Sequence, residues 1–337
     1  MKVCFVHNEH RREREVANAF CAGVLAGGDT CEKQLKTFKL ITDAQVVCMV
    51  GVKSVKLFTQ ARKAGKDVIF LDKGYFRHRG TTRDWEYWRV AVNDHHPTGY
   101  VSRARHLSTR WDIISGRLGV SPAPWRSGGS HILYAGSSAK YHTFAGLPEP
   151  TEYAKGVIKD LAQYSDRLIV YRPKPSWHEA VPMAGSTYSP REESIETALA
   201  GAWCLVTSGS NAAFDAVIRG IPAIVLGNSI AKSISSQDLS EVENPYLATD
   251  YERQQWLSNL SWCMFTQAEM SCGLAWKALR AQLGGAVIKE STLAQVACES
   301  MISPSVLKAT RVSDKRKKRK EVNSKKKATK RRKKNAR

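Results

Sequence analysis

Three short runs in this 337-residue chain combine hydroxyls, cations and small residues as a bound phosphate would require. AGSSAKYH, Ala135 to His142, supplies Gly136, Ser137, Ser138 and Lys140. YRPKPSW, Tyr171 to Trp177, supplies Arg172 and Lys174, with a proline on each side of the lysine to stiffen it. VTSGSNAAFDAVIRGIPAIVLG, Val206 to Gly227, supplies Thr207, Ser208, Ser210 and Asn211, with Asp215 four residues beyond Asn211. Small residues let backbone amides approach an anion, and the cations neutralise it. A helix predicted from Asn211 would add free N–H groups and its dipole, and Asp215, one turn in, is placed to accept hydrogen bonds from ribose hydroxyls. Each run also has a plain structural reading: a turn, a strand exit, or a Ser210 helix cap with Asp215 as a solvated acid. No GxxxxGK[ST] occurs, which excludes a P-loop.

A second set of residues could take up a proton: His7, Asp72, and Asp94, His95 and His96 in VNDHHPTGY. The alternatives stay open, with His7 satisfying a backbone carbonyl, Asp72 capping a helix or pairing with Lys73, and the histidine pair lying at the surface. Between them FRHRGTTRDWEYWRVAVN interleaves Arg77, Arg79, Arg83 and Arg89 with Trp85, Tyr87 and Trp88. That mixture suits phosphate contacts and base stacking, and equally a core of aromatics beside a solvated arginine face.

These residues need elements to position them. KVCFVHN, Ala44 to Val50 and DVIFLDKG read as strands, alternating with helices at Glu13 to Leu25 and Val55 to Ala64. HILYAGS, RLIVYRPK, WCLVTSG and IPAIVLG read as a second set of strands, with helices at Thr151 to Gln163, Ser194 to Ala200 and Asn211 to Arg219. Open parallel sheets carry ligands at the carboxyl ends of their strands, where the polar residues above fall. Gly220-Ile221-Pro222 reads as a helix C-cap followed by a proline stop. Further on, Thr266 to Gln282 is predicted as a helix opened by a capping box of Thr266 and Glu269, and Leu293 to Met301 as a short helix. Trp256, Trp262 and Trp276 are expected in the core.

The domains are drawn at 1–120, an N-terminal Rossmann-like domain; 121–130, a linker; 131–310, a second α/β domain with C-terminal helices; and 311–337, a disordered polybasic tail. The net charge of +21 is concentrated in that tail, where 16 Lys/Arg face only Asp314 and Glu321. Such a segment binds polyanions with strong salt dependence. DNA is the first reading for its partner, through residues such as Lys317, Lys318, Arg319, Arg331 and Arg332; an anionic membrane or lipid-linked acceptor is the second. Eight scattered cysteines without CxxC spacing read as reduced thiols, and no stretch approaches the roughly 20 apolar residues of a membrane span, which points to the cytoplasm.

The succession GSS-x-K, RPKP and TSGSNAAFDAVIRGIPAIVLG resembles the donor domain of GT-B glycosyltransferases, in particular capsule and polysaccharide-synthesis enzymes and related bacteriophage enzymes, over roughly residues 130 to 283. The resemblance implies an α/β GT-B fold of two Rossmann-like domains facing a cleft. It implies a nucleotide-sugar donor as co-substrate, with no cofactor and no metal. Gly136, Ser137, Ser138 and Lys140 would then face the phosphates and Arg172 and Lys174 neutralise them. Thr207, Ser208, Ser210 and Asn211 would hold the diphosphate or sugar, and Asp215 the ribose. Many such enzymes carry Glu in place of Asp215 and His in place of Lys174. The first domain would hold the acceptor and the base, for which Asp72, His95, His96 and His7 are the candidates. The favoured acceptor is a hydroxylated base in phage DNA, which would place the enzyme in the bacterial host cytoplasm. The alternatives are capsule or lipopolysaccharide synthesis, and a non-catalytic DNA-binding protein on the same scaffold. Sugar, stereochemistry and oligomeric state are left open.

Overall fold

The computed structural model describes residues 1–37, 39–51, 55–76 and 86–283. Arg77, Arg79, Arg83, the predicted helix Leu293 to Met301, and the basic tail with Lys317, Lys318, Arg319, Arg331 and Arg332 lie outside these residues.

The first sheet is built from β1 (Lys2–His7), β2 (Thr30–Leu35), β3 (Val46–Val50), β4 (Asp67–Lys73) and β5 (Tyr87–Val92), with α1 (Arg11–Ala26) and α2 (Val55–Lys63) as crossovers. β1, β3 and β4 are continuous apolar runs buried on both faces, as central parallel strands must be. β2, TCEKQL, was not anticipated: it pairs parallel with β1 as a polar edge strand and lacks the apolar run that marks a buried one. β5 pairs antiparallel with β4. The chain then forms α3 (Thr98–Arg103) and α4 (Thr109–Leu118) before reaching the second sheet.

That sheet contains β6 (His131–Ala135), β7 (Leu168–Arg172), β8 (Thr187–Tyr188), β9 (Ala202–Thr207) and β10 (Ala223–Val225). All its pairings are parallel, in the order β10-β9-β6-β7-β8. Its connections include α5 (Ala139–Ala145), α6 (Pro150–Leu161), α7 (Ile195–Ala198) and α8 (Ala212–Ile218). α6 starts with Pro150 at its first position and the Glu149 carboxylate accepting from Thr151 and Glu152 amides. α8 ends as the Gly-Ile-Pro turn predicts: Gly220 takes φ 70°, its N–H donates to Val217 O and that of Ile221 to Ala216 O. The fold is thus mixed α/β with two sheets built on parallel strands, the first carrying an antiparallel edge at β5, in line with the two Rossmann-like domains implied by the resemblance.

The segment drawn as a linker is hydrogen bonded along the second half, with Ala123 N donating to Ile218 O, Arg126 N to Gly220 O and Trp125 Nε1 to Ala248 O. One apolar core runs across both halves. Tyr75 and Phe76, just past β4, pack on Phe214 of α8 at ring separations of 5.6 and 5.5 Å. Phe214 packs in turn on Trp256 of α9 (Asp250–Ser261). Trp256, Trp262 and Trp276 are buried as expected.

The chain end departs from the expectation of one helix belonging to the second domain. Met264–Thr266 forms β11, which pairs antiparallel with β5 and completes a first-sheet order of β11-β5-β4-β3-β1-β2. The capping box of Thr266 and Glu269 is present and opens α10 (Gln267–Ser271), but left-handed Gly273 (φ 88°) separates it from α11 (Leu274–Arg280). The physical reason is the open edge of β5, whose amides and carbonyls need a strand partner. Buried Arg110 of α4 fixes the return by donating to Ser261 O, Met264 O and the Glu269 carboxylate. The helix α10 crosses α1 so closely at Gly23 that a Cβ there would sit 1.9 Å from Met270 O.

The expectation of reduced thiols is corrected for one pair: Cys21 on α1 and Cys31 on β2 form a disulfide, because the crossover brings their Cα atoms to 5.3 Å. Cys4, Cys48, Cys204, Cys263 and Cys272 are free.

Gly23→Ala should lower stability by at least about 1–3 kcal/mol, the usual cost of overpacking, in urea melts followed by circular dichroism. Gly116→Ala on the exposed face of α4, where a Cβ meets nothing within 4 Å, should be neutral or stabilising by up to about 1 kcal/mol.

Candidate active site

The register of β4 against β5 sets Asp72 directly beside Arg89, and β11 covers the other side of Arg89 through its pairing with Met264. Arg89 is only 2% exposed. Its Nη2 donates to Asp72 Oδ2 at 3.2 Å and to His95 Nε2 at 2.7 Å. Its Nη1 lies 3.0 Å from Tyr75 OH, 3.1 Å from His96 Nδ1 and 3.0 Å from Asn211 Oδ1. The Tyr75 hydroxyl also hydrogen bonds His96 Nδ1. The polar cluster therefore spans both sheets, because Asn211 precedes α8 of the second half.

Asn93 ends β5 in the left-handed region at φ 60°, a conformation asparagine tolerates, and its side chain is tied to Val68 N, Asp67 and Arg62. The following residues, Asp94, His95 and His96, enter the interface between the halves. Asp94 Oδ1 accepts from His95 N at 2.6 Å and from Asn228 Nδ2 at 2.7 Å, while Thr98 Oγ1 donates to Asn228 Oδ1 at 2.7 Å. Phe144 of α5 adds an apolar contact, with ring separations of 5.2 Å to Phe58 and 5.8 Å to Phe70.

Charge and burial set the protonation states. Burial alone would raise the Asp72 carboxyl, but the Arg89 charge and the His95 contact outweigh it and hold Asp72 well below the usual carboxylate range. Burial, then the Arg89 charge, lowers His95 to about 4, and the same two causes push His96 well below its ordinary value. Burial also raises Asp94 and lowers Lys174. The Lys174 ammonium makes no hydrogen bond or ion pair among the described residues, and it feels the charges of Asp72, Arg89, Arg172 and Asp215. Its backbone is fixed by a turn in which Trp177 N donates to Lys174 O at 2.7 Å.

β9, β6 and β7 are consecutive neighbours, so the three runs of small and cationic residues do emerge side by side. Several of those side chains are already engaged. Thr207 is fully buried and its hydroxyl donates to Ala135 O at 2.7 Å, a strand tie. Ser138 caps α5 by accepting from Tyr141 N, and Ser210 accepts from Ala212 N at 3.2 Å. Arg172 Nη2 donates to Glu193 O, and Asp215 is 6% exposed with Arg219 at 3.5 Å. Gly136 N donates to Arg172 O. Lys140 is exposed. Ser137 and Ser208 are buried, and their hydroxyls have no hydrogen-bond partner among the described residues.

Of the proton-accepting candidates, Asp72, His95 and His96 come together around Arg89. His7 is placed apart, its Nδ1 hydrogen bonded to Asn8 O. Tyr75, Arg89 and Asn228 were not identified as site residues from the sequence. Arg89 stood in the segment read as a nucleic-acid surface, but Tyr87 and Trp88 are each only 3% exposed, so this part of the segment packs inward. The aromatic and β-branched residues flanking Arg89 in YWRVAV were the available signal. Among the described residues no group of three or more His, Cys, Asp or Glu could hold a metal ion, and no helix is long and apolar enough to cross a membrane.

Acidification should reveal the buried histidines. The unfolded chain takes up a proton on His95 below about pH 6.5, whereas the folded chain resists until about 4, so stability should fall across that window by about 3 kcal/mol from this residue. Urea melts between pH 7 and 4 should show this slope, and His95→Gln should flatten it.

Neither a protein-family model nor a curated protein matches the chain. Among solved structures it is similar to the beta Kdo 2,4 transferase KpsC of Thermosulfurimonas dismutans, at 12% identity over 75% of this chain and 89% of that one, with a TM-score of 0.46. The beta Kdo 2,7 transferase KpsC of the same organism is similar at 13% identity over 82% and 99%, with a TM-score of 0.47. The S. aureus MnaA-UDP co-structure aligns at 8% identity over 86% and 98%, with a TM-score of 0.28.

Proposed function

We propose that the chain is a glycosyltransferase that moves a sugar from a nucleotide-sugar donor to an acceptor hydroxyl. The observation that carries this reading is the hydrogen bond from Arg89 to Asn211, which sets a carboxylate and two histidines of one half beside the three strand ends of the other. At that junction stands the partly buried Lys174, which makes no ion pair among the described residues, and a nucleotide's phosphates would supply its counter-charge. In this reading the acceptor oxygen attacks the anomeric carbon as the bond to the phosphate oxygen breaks. The bonding electrons leave with the nucleotide, whose growing charge Lys174 stabilises. The acceptor proton passes to Asp72, a carboxylate whose side chain is 35% exposed. Arg89 makes Asp72 a weak base, so it takes the proton only as the new bond to the anomeric carbon makes the acceptor oxygen acidic; the histidines have their lone pairs engaged, because Arg89 occupies a ring nitrogen of each. Lys140 and Arg172 add positive charge, while Ser137, Ser208 and the backbone from Gly209 to Asn211 are in reach of the donor's oxygens. Asp215 is retained as the ribose contact.

For the acceptor, the basic residues 311–337 favour a polyanion, and DNA carrying a hydroxylated base is proposed first. A capsule or lipopolysaccharide saccharide is the second reading, favoured by the burial of Tyr87 and Trp88, which removes part of the aromatic surface a nucleic acid would use.

Calorimetry with a panel of nucleotide sugars should detect binding that weakens about tenfold or more in Lys174→Ala. Asp72→Asn should leave donor binding in place and lower kcat by about 10²-fold or more. A wild-type chain that binds no nucleotide sugar would sink the reading. Mass analysis of transfer to hydroxymethylated DNA and to a saccharide acceptor, with and without residues 313–337, separates the two acceptors. A non-catalytic scaffold would transfer to neither.

A further inference from the structure

A guanidinium has only donors, so any ring nitrogen it contacts at hydrogen-bond distance must carry the lone pair. Arg89 touches His95 at Nε2 and His96 at Nδ1, and Tyr75 OH adds a second contact at His96 Nδ1. Neutral imidazole has one proton, so His95 must carry it on Nδ1 and His96 on Nε2. Both of these nitrogens are buried and have no hydrogen-bond partner among the described residues. The rings differ in burial: His96 is 0% exposed, with the Gly209 backbone beside it, whereas His95 is 9% exposed near Tyr141 and Phe144, and its Nδ1 is reached only when a side chain at the interface shifts. Both rings feel the positive charge of Lys174.

A buried N–H without an acceptor is costly, of the order of 1–3 kcal/mol, and a ligand that supplies the acceptor recovers that energy. We infer that His95 Nδ1–H and the Lys174 ammonium together form a binding site for an anionic oxygen, with His95 acting as a neutral donor and not as a base. Arg89 is the positioning residue, since it fixes which nitrogen of His95 holds the proton. The groups facing His95 fit this role. Asp72 neutralises Arg89 and lies 3.8 Å from His95 Nε2, Asp94 is occupied by His95 N and Asn228, and Lys174 makes no ion pair among the described residues. The identity of the oxygen as a nucleotide-sugar phosphate rests on the proposed function; the placement of the proton does not.

The first measurement is the ¹⁵N resonances of the His95 ring in the whole protein at neutral pH. Protonated Nδ1 and bare Nε2 are expected, and the opposite tautomer or an imidazolium would overturn the proposal. Titration with inorganic phosphate, and separately with acetate, should shift Nδ1 saturably without protonating Nε2. A response to phosphate alone assigns a phosphate oxygen, a response to acetate alone assigns a carboxylate, and a response to neither overturns the site. In the variants, His95→Asn keeps an amide donor near the Nδ1 position and should retain affinity for the responding anion, whereas His95→Gln should lose about tenfold. Equal losses in both, with native spectra, would speak for a base or a merely structural ring and against the donor role. A phosphate response in a chain that binds no nucleotide sugar would end the transferase reading and leave this site intact. Nucleotide-sugar binding unaffected by His95→Gln would do the reverse.

Discussion

A guanidinium taken out of water keeps its charge, so the protein around it must supply a carboxylate and enough acceptors to replace hydration. Arg89 imposes that demand at the interface between the two sheets. Its acceptors come from β4, the turn after β4, the segment after β5 and the residue that opens α8. Asp72 is held ionised at rest because the Arg89 charge and the His95 contact outweigh its burial. The histidines are held neutral because a second and third positive charge beside Arg89 would be repelled in a poorly hydrated site. One buried charge thus sets the protonation of its neighbours and also joins the halves.

The surrounding fold can be understood as the support for that interaction. Arg89 can sit at the centre of β5 only because β11 returns to pair with it, and β11 returns because Arg110 captures the carbonyls and the carboxylate on either side of it. The apolar counterpart is Phe214, which packs against Tyr75, Phe76 and Trp256 and brings α8 close enough for Asn211 to reach Arg89. Lys174, carried on a hydrogen-bonded turn between prolines, completes the positive face of the junction. The second sheet thus brings a cation that makes no ion pair among the described residues, and the first brings a carboxylate held ionised.

Much of the second sheet could be read from the sequence, because its strands are apolar runs ending in small and polar residues, a pattern contained within a few residues. The Gly-Ile-Pro turn and the Thr266–Glu269 capping box were equally local and appear as expected. The first sheet was harder. β2 is a polar edge strand, and β5 carries an arginine in its middle, so neither shows the run that marks a buried strand. The helix expected across Thr266 to Gln282 has the right periodicity but breaks at Gly273, where the chain bends to follow α1. The disulfide also escaped notice, since Cys21 and Cys31 stand on different elements and their spacing has no motif.

By itself the sequence determined which residues stand at the strand ends: the hydroxyls around Ser137 and Ser208, the Arg172 and Lys174 exit, and Asp72 closing β4. Tertiary structure alone decided how they are used. Strand register put Asp72 beside Arg89, and folding brought Arg89 to Asn211 across 122 residues of chain. The same contacts turned Thr207 and Ser210 into structural ties and fixed the proton on each histidine. The physical reason is that a strand or a turn is specified by neighbouring side chains. A buried ion's partners and an imidazole's tautomer depend instead on which donors and acceptors the whole fold brings within about 3 Å.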